Sequence, residues 1–280
     1  MRLRRLIAID LGTANTLVYA RRRGVVIDEP STIAFYRGTQ KTAAVGSYAD
    51  LLAGKEPAAI EVIRPLSSGA ITDLEATTLM LQSLLRRARI HRGLRKSSAI
   101  VCVPTGATYV ERQAVINMLS TRRPRYIVRL IEEVIAAAAG AGVDPLSTEG
   151  VLVADIGCGT TDAALIVSGA VVRARSLRVG GGAMDEAIIQ TIKTELGLVV
   201  GRRAAEELKI AFGLTGSETD FRPVTGIDAG MGTVREEKVQ GDLVASALER
   251  IVTTITNAID ELLSQMPPDL AADVVRRRSG

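Results

Sequence analysis

Two glycine-rich turns, each opened by an aspartate, carry the residues best suited to chemistry. The first reads DLGTANT at 10–16 and the second reads DIGCGTT at 155–161. Each follows an apolar run, LIAI or VLVA, of the kind that forms a buried strand. Glycines let backbone N–H groups approach a ligand closely, and consecutive N–H groups form a concavity that binds anions. The pattern predicts two phosphate-binding turns.

The polar side chains of these turns extend the prediction. Hydroxyls of Thr13, Thr160 and Thr161, together with the amide of Asn15, add hydrogen bonds to the same oxygens. The carboxylates of Asp10 and Asp155 would repel a bare phosphate, so they fit only if a hard cation such as Mg²⁺ lies between, held partly through water. The sequence therefore predicts a nucleotide-phosphate clamp.

The two turns belong to an internal duplication. Residues 6–16 and 151–161 share their residue types and spacing, and each is followed by strand, turn and strand, at 16–30 and at 161–177. Agreement in residues, spacing and the following hairpin is more than two unrelated glycine-rich turns would give. We therefore expect two related halves that close on one ligand from opposite sides.

The elements that must position these turns alternate between strands and helices. Apolar spacing predicts strands at 98–104 and 125–132, and helices at 73–89, 107–120, 132–142, 180–197, 202–213 and 241–265. This is an α/β architecture of two halves, each with a mixed sheet flanked by helices. Pro145 and Ser147 predict a boundary between domain 1–143, with a small insertion at about 33–66, and domain 144–280, with an insertion at about 184–240.

Composition narrows the function classes. The chain has 280 residues, 47% hydrophobic and 24% charged, which is typical of a globular protein. Aromatic residues make up 3% and Trp is absent, which argues against nucleic-acid recognition by base stacking. Cys102 and Cys158 have no CxxC spacing, which indicates a reducing compartment. The apolar start is interrupted at Asp10, unlike a signal peptide, so we expect a cytoplasmic protein.

Several motifs resemble a known family. IAIDLGTANTLVYA, CVPTGATYVERQAV, LIEEVIAAAAGAG, DIGCGTTDAALIV and MDEAIIQTIK look like the actin-like ATPases of bacteria, most closely the rod-shape-determining MreB family. The resemblance runs from Leu6 to about Val274. It implies the actin-like, duplicated ribonuclease-H-like fold, with ATP and Mg²⁺ in a cleft between two domains. It also implies weak ATPase activity coupled to polymerisation, and filaments on the inner membrane face that organise wall synthesis.

The resemblance assigns site residues by position. For the phosphate and nucleoside contacts it gives Gly12, Thr13, Ala14, Asn15, Gly157, Cys158, Gly159, Thr160, Gly181, Glu206, Glu207 and Lys209. It places Mg²⁺ beside Asp10 and Asp155, held through water, and gives Glu111 the role of positioning the attacking water. From the residues alone, a charge at a helix N-terminus is the preferred interpretation of Glu111, and an exposed ion pair is the more usual interpretation of Glu206 and Lys209.

The sequence departs from the family in three places. Cys158 stands where glycine is usual, which would strain the turn if φ were positive there. Val134 replaces a proline, a change expected to relax a helix start. After 266–280 the family has a strand and a glycine-rich loop over the adenosine, whereas the sequence stops at Gly280, so we expect weaker nucleoside contacts.

Two functions follow from these expectations. The first is an ATP-binding, filament-forming cytoskeletal protein that associates with itself and with the cell-wall synthesis machinery. The second is a non-hydrolysing scaffold that joins the filaments of a full-length MreB relative. The basic segment 87–96 offers Ile90 and Leu94 among cations as a contact with the inner membrane face, although a solvated helix end fits equally well.

Overall fold

The computed structural model describes residues 6–90, 97–120 and 126–277, which form two compact units. The first unit combines the described parts of 1–178 and 262–280, and the second is Val179–Glu261. The predicted boundary between 143 and 144 and the two predicted insertions stay predictions.

The described chain contains sixteen strands and eight helices. The strands are β1 (Leu6–Leu11), β2 (Asn15–Ala20), β3 (Gly24–Pro30), β4 (Ile33–Tyr36), β5 (Thr42–Val45), β6 (Ile60–Ile63), β7 (Leu66–Ser67), β8 (Ala70–Ile71), β9 (Ser97–Val103), β10 (Tyr126–Glu132), β11 (Val151–Ile156), β12 (Thr161–Val167), β13 (Ala170–Leu177), β14 (Leu198–Val199), β15 (Phe221–Asp228) and β16 (Val234–Gln240). The helices are α1 (Ser47–Asp50), α2 (Leu74–Arg87), α3 (Tyr109–Ser120), α4 (Glu133–Gly140), α5 (Gly181–Leu196), α6 (Arg202–Phe212), α7 (Gly241–Ser264) and α8 (Pro268–Arg277).

A five-stranded mixed sheet, in the order β10-β9-β1-β2-β3, organises the first unit. β1 is antiparallel to β2 and parallel to β9, so the carboxyl ends of β1 and β9 lie at one edge. Ile7, Ile9 and Val18 are buried, and they belong to the same core as Met80 and Leu84 of α2. This confirms the mixed sheet predicted for the first half and places the end of β1, with Asp10, at the sheet edge.

The second copy of the motif forms the antiparallel sheet β11-β12-β13. Its middle strand β12 is buried nearly throughout, and Ala164 and Ile166 pack against Val134 and Ala138 of α4. The prediction of a mixed sheet in this half is wrong within the described residues. The chain after β13 folds instead into helices and a separate sheet, so in the described part no strand pairs with the free edge of β11.

Two smaller sheets complete the first unit. They are the antiparallel sheet β5-β4-β6 and the two-stranded hairpin β7-β8, whose turn is Ser68-Gly69. Both residues of that turn have positive φ, 47° and 72°, as a tight hairpin turn requires. This hairpin places its turn next to the predicted phosphate turns.

The second unit has its own core. Helices α5, α6 and α7 surround residues such as Ile188, Leu208, Val224 and Val239, the last two from the sheet β14-β15-β16. The predicted helices at 180–197, 202–213 and 241–265 are confirmed to within two residues at each end. No helix in the described ranges is long and apolar enough to cross a membrane.

Candidate nucleotide-binding site

The first predicted phosphate turn, Gly12 to Ala14, is held by one buried serine. The Ser31 hydroxyl donates to the Gly12 carbonyl at 2.6 Å and lies 2.9 Å from the hydroxyl of Thr16. The backbone N–H of Ser31 also donates to the Ala14 carbonyl at 2.7 Å. Asn15 and Ala14 are exposed at the tip. Ser31 therefore fixes the backbone of the turn on its buried side, and the exposed side of the turn is accessible to a ligand.

The second predicted turn packs against the first. The N–H of Gly157 donates to the Thr160 carbonyl at 2.9 Å, which closes the turn on itself. A Cβ on Gly159 would overlap the Thr13 hydroxyl and would lie 2.8 Å from the Gly69 nitrogen. The glycine at 159 is thus required by close approach, and the two halves of the duplication meet there.

A third turn, Ser68-Gly69, was missed by the sequence reasoning. The Gly69 N–H donates to the Thr13 hydroxyl at 3.1 Å, and a Cβ on Gly69 would overlap the Thr160 side chain. The signal for it was a Ser-Gly pair between two short apolar stretches, LS and AI. Three turns from three hairpins therefore converge on Thr13, Gly69 and Gly159.

Cys158 does not strain the second turn. Among the described residues other than glycine, only Arg22, Ser68, Arg89 and Ser168 have positive φ. The condition under which a side chain at Cys158 would strain the turn, a positive φ, is therefore not met. Its thiol is half-buried and is not part of a disulfide.

The two predicted metal-binding carboxylates are electrostatically coupled. Burial raises the pKa of Asp10, and the neighbouring charge of Asp155 raises it further. Burial also raises the pKa of Asp155. Beneath them, burial and the charges of Asp10, Glu133 and Asp155 raise the pKa of the Cys102 thiol to about 12. The edge of the first sheet therefore concentrates negative potential, which a bound cation would relieve.

Glu133, at the start of α4, belongs to this acidic group although sequence reasoning did not select it. Burial and the charges of Asp10, Asp162 and Asp155 raise its pKa to about 8. Asp162 is itself buried, and its Oδ1 has no hydrogen-bond partner among the described residues. The signal was the acidic pair Glu132-Glu133 ending a strand of the first sheet. Glu133 faces the same acidic edge as both predicted metal ligands.

Glu111 makes the hydrogen bonds of a helix N-terminal cap. Its carboxylate accepts hydrogen bonds from the Thr108 N–H at 2.7 Å and the Thr108 hydroxyl at 2.8 Å, while the Thr108 hydroxyl accepts from the Glu111 N–H at 3.3 Å. This reciprocal pattern is a capping box. Arg178 pairs with the other carboxylate oxygen at 3.2 Å, and these contacts lower the pKa of Glu111. The catalytic role predicted for Glu111 stays a prediction.

The predicted nucleoside residues lie in the second unit. Lys209 of α6 pairs with Asp185, which is buried, at 2.6 Å, and it donates to the Gly181 carbonyl at 3.1 Å. Glu206 is exposed, and Glu207 pairs with Arg203 at 3.1 Å. The expected ion pair between Glu206 and Lys209 is therefore replaced by one that joins α6 to α5.

The segment 87–96 differs from the expectation in one respect. Ile90 is buried in the core of the first unit rather than exposed. The reason is local, because the Ile90 N–H donates to the Leu85 carbonyl and the Arg89 N–H to the Arg86 carbonyl. This is a Schellman motif, which folds the residue after the helix end back onto the helix. Leu94 and His91 lie outside the described residues.

The acidic edge, formed by Asp10, Asp155 and Glu133, suits a cation that takes few protein ligands. In the described ranges, no group of three or more His, Cys, Asp or Glu side chains could hold a metal ion by itself. Asp10 and Asp155 would supply two hard oxygen ligands, and Mg²⁺ commonly takes one or two carboxylates with phosphate oxygens and water. The residues present fit Mg²⁺ bound together with a phosphate.

Comparison with known proteins places these features in a family. The model of the MreB/Mbl protein family matches residues 4–278. Cell shape-determining protein MreB of Escherichia coli is 38% identical over 278 residues, covering 97% of this chain and 80% of that protein. Cell shape-determining protein Mbl of Bacillus subtilis is 35% identical over 273 residues, covering 97% of this chain and 82% of that protein.

Solved structures agree with the sequence comparison. MreB5 of Spiroplasma citri bound to AMPPNP matches with a TM-score of 0.89 and 33% identity, covering 99% of this chain and 83% of that one. The same protein bound to ADP matches with a TM-score of 0.90 and 34% identity, covering 98% of this chain and 83% of that one. A MamK filament, at 21% identity and a TM-score of 0.79, shares the fold. The chain has the actin-like fold and belongs to the MreB/Mbl family.

Proposed function

We propose that this protein binds ATP with Mg²⁺ at the three converging turns and assembles into filaments that direct cell shape. The observation that carries the proposal is the junction of Thr13, Gly69 and Gly159 beside the coupled carboxylates of Asp10 and Asp155. Bound AMPPNP and ADP in MreB5 of Spiroplasma citri support it.

Each part of the site has a role in phosphate binding. The N–H groups of the two glycine-rich turns bind phosphate oxygens, with hydroxyl donors such as Thr160 beside them. Asp10 and Asp155 would hold Mg²⁺, which supplies neutralisation of phosphate charge when bound. We also propose that the nucleoside is contacted by Gly181, Glu206, Glu207 and Lys209.

Hydrolysis requires a group that orients water, and the geometry favours Glu133 over Glu111. Glu111 is engaged by Thr108 and Arg178, whereas Glu133 faces the carboxylates that define the phosphate edge. With a pKa of about 8, Glu133 is mainly protonated at neutral pH in the free protein. A cation held by Asp10 and Asp155 would lower that pKa, and the carboxylate of Glu133 would then be free to orient water.

The test compares two variants that differ only in which acid is neutralised. We expect wild type and both Glu111→Gln and Glu133→Gln to bind a fluorescent ATP analogue in Mg²⁺. Turnover, measured as phosphate release, is expected to fall by about 100-fold or more in Glu133→Gln, in line with the usual contribution of acid–base groups. A normal rate in Glu133→Gln, together with a loss of turnover in Glu111→Gln, would instead assign the orientation of water to Glu111. No binding by wild type would overturn the proposed function.

One observation favours a second candidate, a non-hydrolysing scaffold that co-assembles with a full-length MreB relative. The carboxylate of Glu111 is already engaged by Thr108 and Arg178, and a protein in which it kept those contacts would bind nucleotide without using Glu111 to orient water. Sedimentation with ATP, AMPPNP and ADP separates the two candidates. Polymer that forms equally with all three nucleotides and persists without phosphate release would support the scaffold.

We place the filaments in the cytoplasm at the inner face of the cell membrane, where they would guide the cell-wall synthesis machinery. The family membership and the basic segment 87–96 support this location. Fluorescent fusion protein in cells should mark patches along the wall-synthesis sites. Uniform cytoplasmic fluorescence, with normal cell shape after deletion, would argue against it.

A further inference from the structure

One buried carboxylate in the second unit contacts a predicted nucleoside residue. The side chain of Asp185, on α5, is 4% exposed, and each of its two oxygens faces a cation of α6. Oδ1 lies 2.6 Å from the Nζ of Lys209, and Oδ2 lies 3.7 Å from the Nε of Arg202. Positions 202 and 209 are about two turns of helix apart, so both cations lie on one face of α6. Lys209 is the closer partner of the carboxylate.

The ammonium of Lys209 is held in a defined direction. Besides the carboxylate of Asp185, it donates to the Gly181 carbonyl at 3.1 Å, and both partners belong to the beginning of α5. Lysine has a flexible stem and three N–H donors, of which these contacts use two. Within the described ranges no other partner contacts this ammonium. Its third donor is therefore available to a ligand beside the start of α5.

An excess of positive charge sets this contact apart from a structural ion pair. A buried ion pair is often no more stabilising than apolar side chains of similar volume, because both charges lose water. Here one carboxylate faces two cations, which leaves net positive charge where α5 meets α6. The N-cap Gly180 provides no side-chain cap, and the described first turn of α5 has no acidic residue to offset the helix dipole. The arrangement favours a ligand group that carries lone pairs.

We propose that Asp185 is a positioning residue for the nucleotide, because it directs the ammonium of Lys209 toward the nucleoside. The inference rests on the nucleoside contact of Lys209 given under Proposed function, and it adds a residue that does not itself touch the nucleotide. A hydroxyl or a ring nitrogen of the nucleoside can accept the third N–H of Lys209. Without the carboxylate, binding would have to order this flexible side chain, at a cost in affinity.

The first test separates the nucleoside contact from the phosphate contacts. Calorimetric titration of the full chain in Mg²⁺ gives the dissociation constants of ATP and of tripolyphosphate, which has three phosphates and no nucleoside. We call the tripolyphosphate constant divided by the ATP constant the nucleoside ratio. Asp185→Asn should reduce the nucleoside ratio by about tenfold, the upper cost of ordering one long side chain. An unchanged nucleoside ratio in Asp185→Asn would overturn the inference.

A matched control changes an acid elsewhere on the same helix. Glu195 is exposed near the end of α5, so Glu195→Gln makes the same change in net charge as Asp185→Asn. Its nucleoside ratio should lie within about twofold of wild type, as for most surface substitutions. An equal fall in both variants would also overturn the inference, because net charge rather than the position of Lys209 would then set the ratio.

A double variant separates positioning from stability. Asp185→Asn alone and Lys209→Met alone each leave a charge without its closest partner and should lower the thermal midpoint, whereas the double variant removes both charges and should regain much of it. The nucleoside ratio of the double variant should nevertheless stay as low as that of Lys209→Met. A ratio that recovers with the midpoint would show a structural role only. Full addition of the two single losses would show that Asp185 does not act through Lys209. Either result would overturn the inference.

The same titrations distinguish failure of the inference from failure of the proposed function. Wild type that binds tripolyphosphate as tightly as ATP would refute the nucleoside contact, and the inference with it, while the phosphate site would stand. Wild type that binds neither ligand would refute the proposed function together with the inference that rests on it.

Discussion

Gly159→Ala tests the convergence of the three turns. The new methyl group would overlap the Thr13 hydroxyl and would lie 2.8 Å from the Gly69 nitrogen and 3.0 Å from the Ser68 Cα. The hydroxyl can rotate away, but it then loses the hydrogen bond from the Gly69 N–H. Overpacking costs about 1–3 kcal/mol and the lost hydrogen bond about 1 kcal/mol, so we expect about 2–4 kcal/mol of destabilisation.

The assay pairs this variant with Gly157→Ala in the same turn. A methyl group on Gly157 would meet the carbonyl oxygen of Thr160 at 3.4 Å and its hydroxyl at 3.9 Å, both at ordinary contact distance, and the φ of Gly157 is not positive. Alanine there should be neutral or stabilising by a few tenths of a kcal/mol. The thermal midpoint should therefore fall by about 5–10 °C for Gly159→Ala alone, and its affinity for Mg-ATP should fall with it. Equal midpoints and affinities in the two variants would refute the close approach of the turns.

Three further predictions use other parts of the two units. Because the folded pKa of Glu133 lies at about 8, above the ordinary 4.5, folding binds a proton between these values, and stability should fall as pH rises from 4.5 to 8. Glu133→Gln should flatten that slope in thermal midpoints measured at pH 5, 6.5 and 8; an unchanged slope would contradict the assignment. Lys209→Met should cost about 3 kcal/mol in urea unfolding, because the buried Asp185 loses its ion pair at 2.6 Å and keeps the longer one with Arg202 at 3.7 Å, whereas Glu206→Gln at an exposed site should change stability by less than about 0.5 kcal/mol. Ser31→Ala should cost about 1–3 kcal/mol and weaken nucleotide binding, since the Gly12 carbonyl loses its donor; unchanged affinity would show that the first turn is held without Ser31.

The parts of the fold that sequence predicted are those with local signals. The strands β1 and β11 are apolar runs stopped by Asp and Gly, and α2, α5 and α7 have helical apolar spacing over many residues. The sheets β5-β4-β6 and β7-β8 were missed, because strands of two to four residues show no period long enough to read. The mixed sheet expected in the second half was wrong, because strand pairing depends on residues far along the chain.

For the site residues too, local sequence patterns supported predictions, whereas features that depend on tertiary contacts were missed. Spacing predicted Asp10 and Asp155 as metal ligands, and the charge of Asp155 raises the pKa of Asp10 because the two repeats converge. Glu133 was missed because its raised pKa comes from burial and from three acids on other elements, none within twenty residues in sequence. The catalytic role of Glu111 stays a prediction, and TYVE at 108–111 also forms the capping box that its sequence indicates. Local patterns identify a cap reliably, but only the tertiary structure identifies a neighbour of the acidic edge.

The second turn shows why a departure from the family can be harmless at one position and not at the next. Cys158 drew attention because it interrupts a glycine run, yet its backbone has no positive φ and its neighbours accept a side chain. Gly159 looks ordinary, yet its Cα faces Thr13 from the first repeat and the Ser68-Gly69 turn. The glycine requirement here comes from contact with the other repeat rather than from backbone angles. A side chain at 158 is therefore compatible with the second turn, whereas any side chain at 159 must displace Thr13 or the Ser68-Gly69 turn.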